Sequence, residues 1–202
     1  MTRENGNLRV RRTQKLLREA LVELIEERGF EALTIGEITE RAMVSRAAFY
    51  RNYHDKYDLV EQIFEDAMSR LLNTVGELGL EHPPEAWVTF FEHIAEYERL
   101  YRALLGKQGS PWFVRKMRAS LADMIVARGH ITHEPNRPNE PSSSHPHANT
   151  SSDGFVPDLV STMFVEAITW WLEQGRPYSP KKIATRTALL AAALFKEASA
   201  WQ

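Results

Sequence analysis

Residues 33–59 read LTIGEITERAMVSRAAFYRNYHDKYDL and carry three helix-start signals in close succession. Thr34, followed three residues later by Glu37, forms a capping box in which each side chain satisfies a free backbone amide of the other residue. Ser45 and Asp55 are the predicted N-caps of the next two helices, because short side-chain oxygens accept hydrogen bonds from the first free amides. The spacing therefore predicts two short helices joined by a tight turn and followed by a longer helix.

Two short helices joined by a turn of about three or four residues are typical of the helix-turn-helix unit, whose second helix enters the major groove of DNA. Arg46, Tyr50, Arg51 and Asn52 lie on or beside the second predicted helix. Their side chains can donate to guanine, adenine or phosphate oxygens. Lys56 follows as a further phosphate contact. The sequence therefore predicts a DNA-binding surface here.

At these residues the chain resembles the tetracycline-repressor (TetR) family of bacterial regulators. The family's motif is valine-serine, a small residue, leucine or phenylalanine, tyrosine, a later aromatic residue and a lysine, matched here by Val44, Ser45, Ala47, Phe49, Tyr50, Tyr53 and Lys56. The resemblance implies phosphate contacts from Thr34 and Tyr53. The complete set of predicted DNA-binding residues is Thr34, Gly36, Ser45, Arg46, Ala47, Tyr50, Arg51, Asn52, Tyr53 and Lys56.

The whole chain is predicted to be all-α and divided into two parts. Residues 9–56 form a three-helix DNA-binding head, from which a linking helix runs on to about residue 78. Residues 57–202 form a helical body for ligand binding and dimerisation. Apolar residues at helical spacing predict its later helices over 86–105, 111–129, 158–174 and 180–198. Residues 130–154 are rich in Pro, Ser, Asn and His, which predicts a flexible loop.

Charge is unevenly distributed along the 202 residues. The net charge is −2, yet the first eighteen residues carry six basic side chains against one acidic side chain. A basic arm of this kind either follows the DNA backbone or is a solvated tail. Its position directly before a helix-turn-helix favours the DNA backbone.

Other function classes find little support in the sequence. There are no cysteines, and the histidines of the predicted loop are scattered among prolines, without the fixed geometry of a zinc site. We therefore expect no metal site and no cofactor. No nucleophile–base pair or glycine-rich phosphate loop is recognisable, so an enzyme is not predicted. The chain shows no signal peptide and no stretch long enough for a membrane span, which predicts a cytoplasmic protein.

The aromatic residues of the predicted body fit two interpretations. They either line a ligand cavity or form an ordinary packed core. The candidate ligand-binding residues are Trp87, Phe90, Phe91, His93, Tyr97, Tyr101, Trp112, Phe113, Met117, Phe164 and Trp170. The small residues of the last helix fit either a dimer interface or the protomer's own core. The candidate dimer contacts are Phe164, Trp171, Ala191 and Leu194.

These observations lead to one functional prediction and one alternative. The prediction is a homodimeric repressor that a small hydrophobic or aromatic effector releases from a near-palindromic operator in double-stranded DNA. The alternative is an interaction protein of the same fold that responds to a protein partner, or to no ligand.

Overall fold

The computed structural model describes residues 2–73, 85–131 and 154–201, and the regular secondary structure in these ranges is entirely helical. The helices are α1 (Thr2–Arg28), α2 (Ile35–Arg41), α3 (Arg46–Tyr50), α4 (Lys56–Asn73), α5 (Glu85–Glu96), α6 (Glu98–Leu105), α7 (Pro111–Ile131), α8 (Phe155–Glu173) and α9 (Pro180–Ala198), followed by a 3-10 turn at Ser199–Trp201. The all-α prediction is confirmed. The predicted end of the linking helix and most of the predicted loop lie outside these ranges.

The predicted helix starts are confirmed by hydrogen bonds. Thr34 and Glu37 form a complete capping box before α2, in which the Thr34 amide donates to Glu37 Oε2 over 2.9 Å. Ser45 caps α3 by accepting from the amide of Ala48. The amide of Asp58 donates to Asp55 Oδ1 over 2.8 Å at the start of α4. Each of these signals lies within a few residues of sequence, so it could be read without knowledge of the fold.

The first helix is longer than its amphipathic pattern predicts. It begins at Thr2 instead of near Arg11, and Leu8 is 64% exposed on the added turns. The extension has a simple reason, because adding residues to an existing helix costs much less than starting a new one. The helix ends as predicted at Gly29, whose φ of +78° is left-handed.

One apolar face of α1 supports the two short helices of the head. Leu17, Leu21 and Ile25 are at most 1% exposed, and Ile38 of α2 and Phe49 of α3 are fully buried in the same core. Since α2 and α3 are too short to be stable alone, this burial is what holds them in place.

The body packs its helices in pairs around aromatic side chains. α7 packs on α8, and α5 packs on both α9 and the linking helix α4. The rings of Trp87 and Phe164 stack with centroids 4.3 Å apart, and Phe91 meets Trp171 edge-on at 5.6 Å. These contacts bury the faces that the sequence pattern marked as apolar.

The single helix predicted over residues 86–105 is wrong, because the backbone leaves helical geometry at Tyr97. This residue has a φ of −104° and a ψ of +30°, and it separates α5 from α6. The apolar pattern continues across the break, with Ile94 and Leu100 both buried. The break therefore could not be predicted from the spacing of the apolar residues.

Two features are absent from the described residues. No helix there is long and apolar enough to cross a membrane. Likewise, no group of three or more metal-binding side chains was found in that part of the chain.

Candidate nucleic-acid interface

The turn between α2 and α3 is fixed by backbone hydrogen bonds and one buried hydroxyl. The amide of Val44 donates to the carbonyl of Thr39 over 2.9 Å. Thr39 is itself buried, and its hydroxyl donates to the carbonyl of Ile35 over 2.9 Å. Met43 has a left-handed φ of +52°, which makes the sharp change of direction. The turn thus holds the two helices at a fixed angle.

The exposed surface of α3 carries the side chains that can contact DNA. Phe49 is buried, and its ring meets that of Tyr53 at 5.6 Å, so this side of α3 faces the core. The opposite side is exposed, and Tyr50 retains 57% of its surface. We call this surface the reading face; its residues are Arg46, Ala47, Tyr50 and Arg51.

The guanidinium of Arg46 lies close to the backbone of α2. A Cβ added at Gly36 would come within 2.7 Å of Arg46 Nη2. The missing side chain at Gly36 therefore leaves space for Arg46 beside the first turn of α2. Gly36 was predicted to contact DNA itself. It also acts indirectly, because its lack of a side chain determines where the Arg46 side chain can lie.

The arginines of the head fall into two groups. Arg28 pairs with Glu37 at 2.6 Å, and Arg41 makes two hydrogen bonds to Glu27 at 2.8 and 2.9 Å. The Arg41 hydrogen bond holds the pKa of Glu27 below its usual value. These arginines join α2 to α1.

A second group of cations is unpaired. Within the ranges that the structure describes, no ion pair or hydrogen bond engages the side chains of Arg9, Arg11, Arg12, Arg46 and Arg51. Two of these arginines belong to the reading face, and three lie on the exposed N-terminal turns of α1. Unpaired cations on a near-neutral chain suit contact with a polyanion.

Two basic side chains of the N-terminal segment already have partners within the protein. Arg18 lies over the ring of Tyr97, with the guanidinium carbon 4.6 Å from the ring centroid. Lys15 approaches Glu19 at 3.8 Å on the surface of α1. Arg18 therefore connects the head to the body, and the cations available to DNA at this end precede it.

Lys56, predicted as a phosphate contact, is engaged inside the protein. Its Nζ donates to the carbonyls of Phe30, Glu31 and Leu33 at 3.0, 2.9 and 3.0 Å. An ammonium group has three donors, so all of them are used. Burial also lowers the pKa of Lys56. In this structure the lysine closes the turn that follows α1, and a phosphate contact would cost it one of these bonds.

Three other predicted DNA contacts are also partly engaged within the head. The ring of Tyr53 is 5% exposed, and burial raises its pKa to about 12. Asn52 Nδ2 donates to the carbonyl of Ala48 over 2.8 Å. The Thr34 hydroxyl donates to Glu37 Oε2 over 2.8 Å. Their contacts to DNA, like those of the reading face, stay predictions.

The structure brings most candidate ligand-binding residues together, but as packed rings. Those at most 6% exposed are Trp87, Phe90, Phe91, His93, Tyr101, Phe113, Met117 and Phe164. His93 lies among them, with Nε2 at 3.1 Å from the Tyr101 hydroxyl and its ring stacked on Tyr97 at 4.5 Å. Trp170 is 45% exposed and lies outside this cluster. These residues thus form core in the structure.

The candidate dimer contacts are mostly buried within the protomer. Phe164 and Trp171 are at most 1% exposed within a single protomer, so they do not present a surface to a second copy. Ala191 is 9% exposed, and Leu194 is half-buried. Large apolar residues lie on both the buried and the exposed sides of α8, and the contacts to a second copy stay predictions.

A groove at the junction of head, linking helix and body was missed by the sequence reasoning. It has a volume of about 330 Å³ and is lined by Glu31, Tyr57, Pro111, Trp112 and Arg115. Of these residues, only Trp112 was a candidate. The lining comes from three separate segments, and no local pattern connects them.

The head has the geometry of a helix-turn-helix DNA-binding protein, and comparisons with known proteins agree. Residues 17–63 match the family described as bacterial regulatory proteins, tetR family. Residues 81–192 match a transcriptional regulator C-terminal region. The chain therefore belongs to the TetR family of transcriptional regulators.

Individual relatives cover the chain to different extents. An uncharacterized HTH-type transcriptional regulator of Bacillus subtilis (strain 168), YvkB, is 36% identical over 123 residues, which span 48% of this chain and 65% of YvkB. AcrR of Shigella flexneri is 33% identical over 70 residues, spanning 35% of this chain and 31% of AcrR. The matches thus span less than two thirds of these relatives.

Solved structures share the fold along nearly the whole chain. A TetR transcriptional regulator from Streptococcus agalactiae 2603V superposes with a TM-score of 0.57 at 18% identity, covering 93% of this chain and 98% of its own. The dihydroxyacetone kinase operon activator DhaS superposes with a TM-score of 0.54 at 15% identity, covering 92% and 97%. At these identities the likeness concerns the fold.

Proposed function

We propose that the protein is a homodimeric repressor that binds a near-palindromic operator and leaves it when a small molecule binds. The reading face is the observation that carries the DNA-binding half of this proposal. It presents two unpaired arginines and an exposed tyrosine from a helix whose other side is fixed in the core. Such a rigid, exposed set of donors is what base readout requires.

Dimerisation is supported by apolar side chains that the protomer leaves exposed. On α8 these are Leu159 at 41% and Trp170 at 45%, and on α9 they are Leu189 at 55% and Leu190 at 58%. Large apolar residues gathered on two adjacent helices indicate an interaction surface. A second copy with the same surface would give a two-fold symmetric contact between α8 and α9.

A dimer explains how so few donors could select a site. One reading face contacts only a few base pairs, whereas two faces at major grooves roughly 34–36 Å apart read two half-sites. The operator of a symmetric dimer is then a near-palindrome. Because specificity arises from both half-sites together, the rigidity of the α8–α9 contact bears directly on DNA recognition.

The proposal is tested by selecting DNA from a pool of random duplexes with the purified protein. We expect the selected duplexes to contain an inverted repeat with half-sites one helical turn apart. Arg46→Ala should flatten the sequence preference by about 1–3 kcal/mol, whereas Tyr50→Ala should weaken binding to every duplex. Lys181→Ala is the matched control, since it removes one positive charge from α9, in the body.

Two outcomes would count against the proposal. If the Arg46→Ala and Tyr50→Ala variants both bind the selected duplex as tightly as the wild type does, then α3 is not the element that reads DNA. If the selection yields no inverted repeat, then the dimeric arrangement is wrong.

A further inference from the structure

The groove at the junction of head and body has the size and lining of a ligand site. Its volume of about 330 Å³ lies within the range of small-molecule pockets, about 300–1,000 Å³. Glu31 comes from the turn after α1, Tyr57 comes from the linking helix α4, and Trp112 comes from α7. A molecule bound here would touch all three parts of the protein.

Aromatic side chains form the walls of this groove. The rings of Tyr57 and Trp112 lie 4.9 Å apart at an interplanar angle of 68°. Both residues are half-buried, so each keeps part of its ring available, and Pro111 adds a further apolar surface. Walls of this kind favour a flat aromatic ligand, which can pack face-on against one ring and edge-on against the other.

The negative charge in the groove is already engaged. Glu31 Oε2 accepts a hydrogen bond from the Tyr57 hydroxyl at 3.1 Å, and Oε1 accepts one from the Ser110 hydroxyl at 3.0 Å. Burial, and then the hydrogen bond to Glu31, raise the pKa of Tyr57, which favours the protonated hydroxyl that donates to Glu31. The carboxylate of Glu31 is therefore held by the protein's own donors.

The positive charge in the groove is not engaged. Arg115 is exposed, and its guanidinium makes no ion pair or hydrogen bond with any residue in the described ranges. Its neighbour along α7, Arg118, is held by Glu166 at 3.4 Å. An arginine with free donors beside an aromatic wall suits a carboxylate, which it can bind through two parallel hydrogen bonds.

We propose that this groove is an effector site for a planar aromatic carboxylate. The ring of the ligand packs against Tyr57 and Trp112, and its carboxylate binds the guanidinium of Arg115. This inference rests on the proposed function, since an effector requires a DNA-binding protein to act on. It assigns the ligand site to the junction and not to the aromatic core of the body.

The contacts around the groove explain how a ligand there could affect the head. The turn after α1 is held to the body by Ser110, which donates to Glu31, and by Gln108, whose carbonyl accepts from the Phe30 amide at 3.2 Å. Both body residues immediately precede α7, on which Trp112 and Arg115 lie. A ligand that draws these two side chains together favours one position of the head over others, and this difference in affinity is what shifts the equilibrium.

The site is tested by calorimetric titration of the full chain with 1-naphthoate. We expect binding, and we expect the neutral isostere 1-naphthamide to bind about tenfold more weakly, because it forms no charge-assisted pair. Arg115→Gln should weaken the binding of naphthoate by about tenfold. The matched control is Lys107→Gln, which removes an equal charge from an exposed position in the loop before α7 and should leave the affinity unchanged.

Three results would overturn the site. They are a lack of naphthoate binding, equal binding by the Arg115→Gln variant, and tighter binding of the cation 1-naphthamidinium, which would mean that Glu31 governs the groove. The effector role is measured separately, as the change in affinity for a duplex selected by the protein at saturating naphthoate. An unchanged affinity would overturn that role.

The two proposals fail in different ways. If the protein selects no duplex, the proposed function fails, although the calorimetric result still reports on the groove. If DNA binding is intact but naphthoate does not bind, only the junction site fails.

Discussion

Replacing Lys56 by methionine separates two roles that one residue could have. In the structure its ammonium group closes the turn after α1 by donating to three backbone carbonyls. The sequence motif instead assigns it to a DNA phosphate. Methionine keeps most of the aliphatic chain but removes the ammonium group, so the substitution tests its hydrogen bonds, together with its contacts to the rings of Phe30 and Tyr57, and not the packing of the chain.

The expected loss follows from the surroundings of each carbonyl. The bonds to Phe30 and Leu33 are partly buried, whereas the bond to Glu31 is exposed and can be replaced by water. A hydrogen bond from a charged donor contributes about 1.5–3 kcal/mol, and the two partly buried bonds dominate. After allowance for the cost of burying the lysine, we expect the free energy of unfolding to fall by about 2–3 kcal/mol.

Urea denaturation measures this loss, and a second lysine provides the control. Lys116→Met removes an ammonium group whose partner is the half-exposed carboxylate of Glu61, so it should cost at most about 1 kcal/mol. The salt dependence of DNA binding is measured on the same variants. If Lys56→Met denatures like the wild type while the salt slope falls by about one, the lysine binds phosphate and our reasoning is refuted.

Two further predictions concern the turn and the surface of α8 and α9. Met43→Gly should stabilise the protein by up to about 1 kcal/mol, because the left-handed φ of +52° is costly for methionine and its side chain is 91% exposed. The control is Met43→Ala, which should have little effect on stability. An equal gain from alanine would argue against a backbone cause. Leu190→Glu should convert a dimer to monomers in sedimentation, because it would bury an unpaired carboxylate, whereas Leu8→Glu, at a similarly exposed leucine on α1, should not. A Leu190→Glu variant that remains dimeric would show that the interface does not include Leu190.

Local signals in the sequence predicted local structure correctly. The caps at Thr34, Ser45 and Asp55 are each a short side chain that accepts from an amide three residues later, and all three are present. Such features depend on a few neighbouring residues, so they can be predicted from the sequence without knowledge of the fold.

Features that depend on distant residues were not predictable. The partners of Lys56 lie more than twenty residues before it in the chain, and nothing near the lysine indicates them. The groove combines Glu31 with Arg115, which meet only through the packing of the head on the body. The burial of Trp171 instead of the exposed Trp170 depends on which face of α8 meets α7 and α9, and adjacent tryptophans carry no such information.

The division of the head's arginines into paired and unpaired groups has a consequence for the response to salt. The surface pairs of Arg28 and Arg41 each contribute little, so the fold itself should tolerate changes in ionic strength. The unpaired arginines would displace condensed counterions from DNA, and each phosphate contact steepens the loss of affinity with salt by a logarithmic slope of about 0.9. A rise in the concentration of potassium ions would therefore weaken the binding of the protein to DNA while leaving it folded, so its occupancy of DNA would depend on ionic strength.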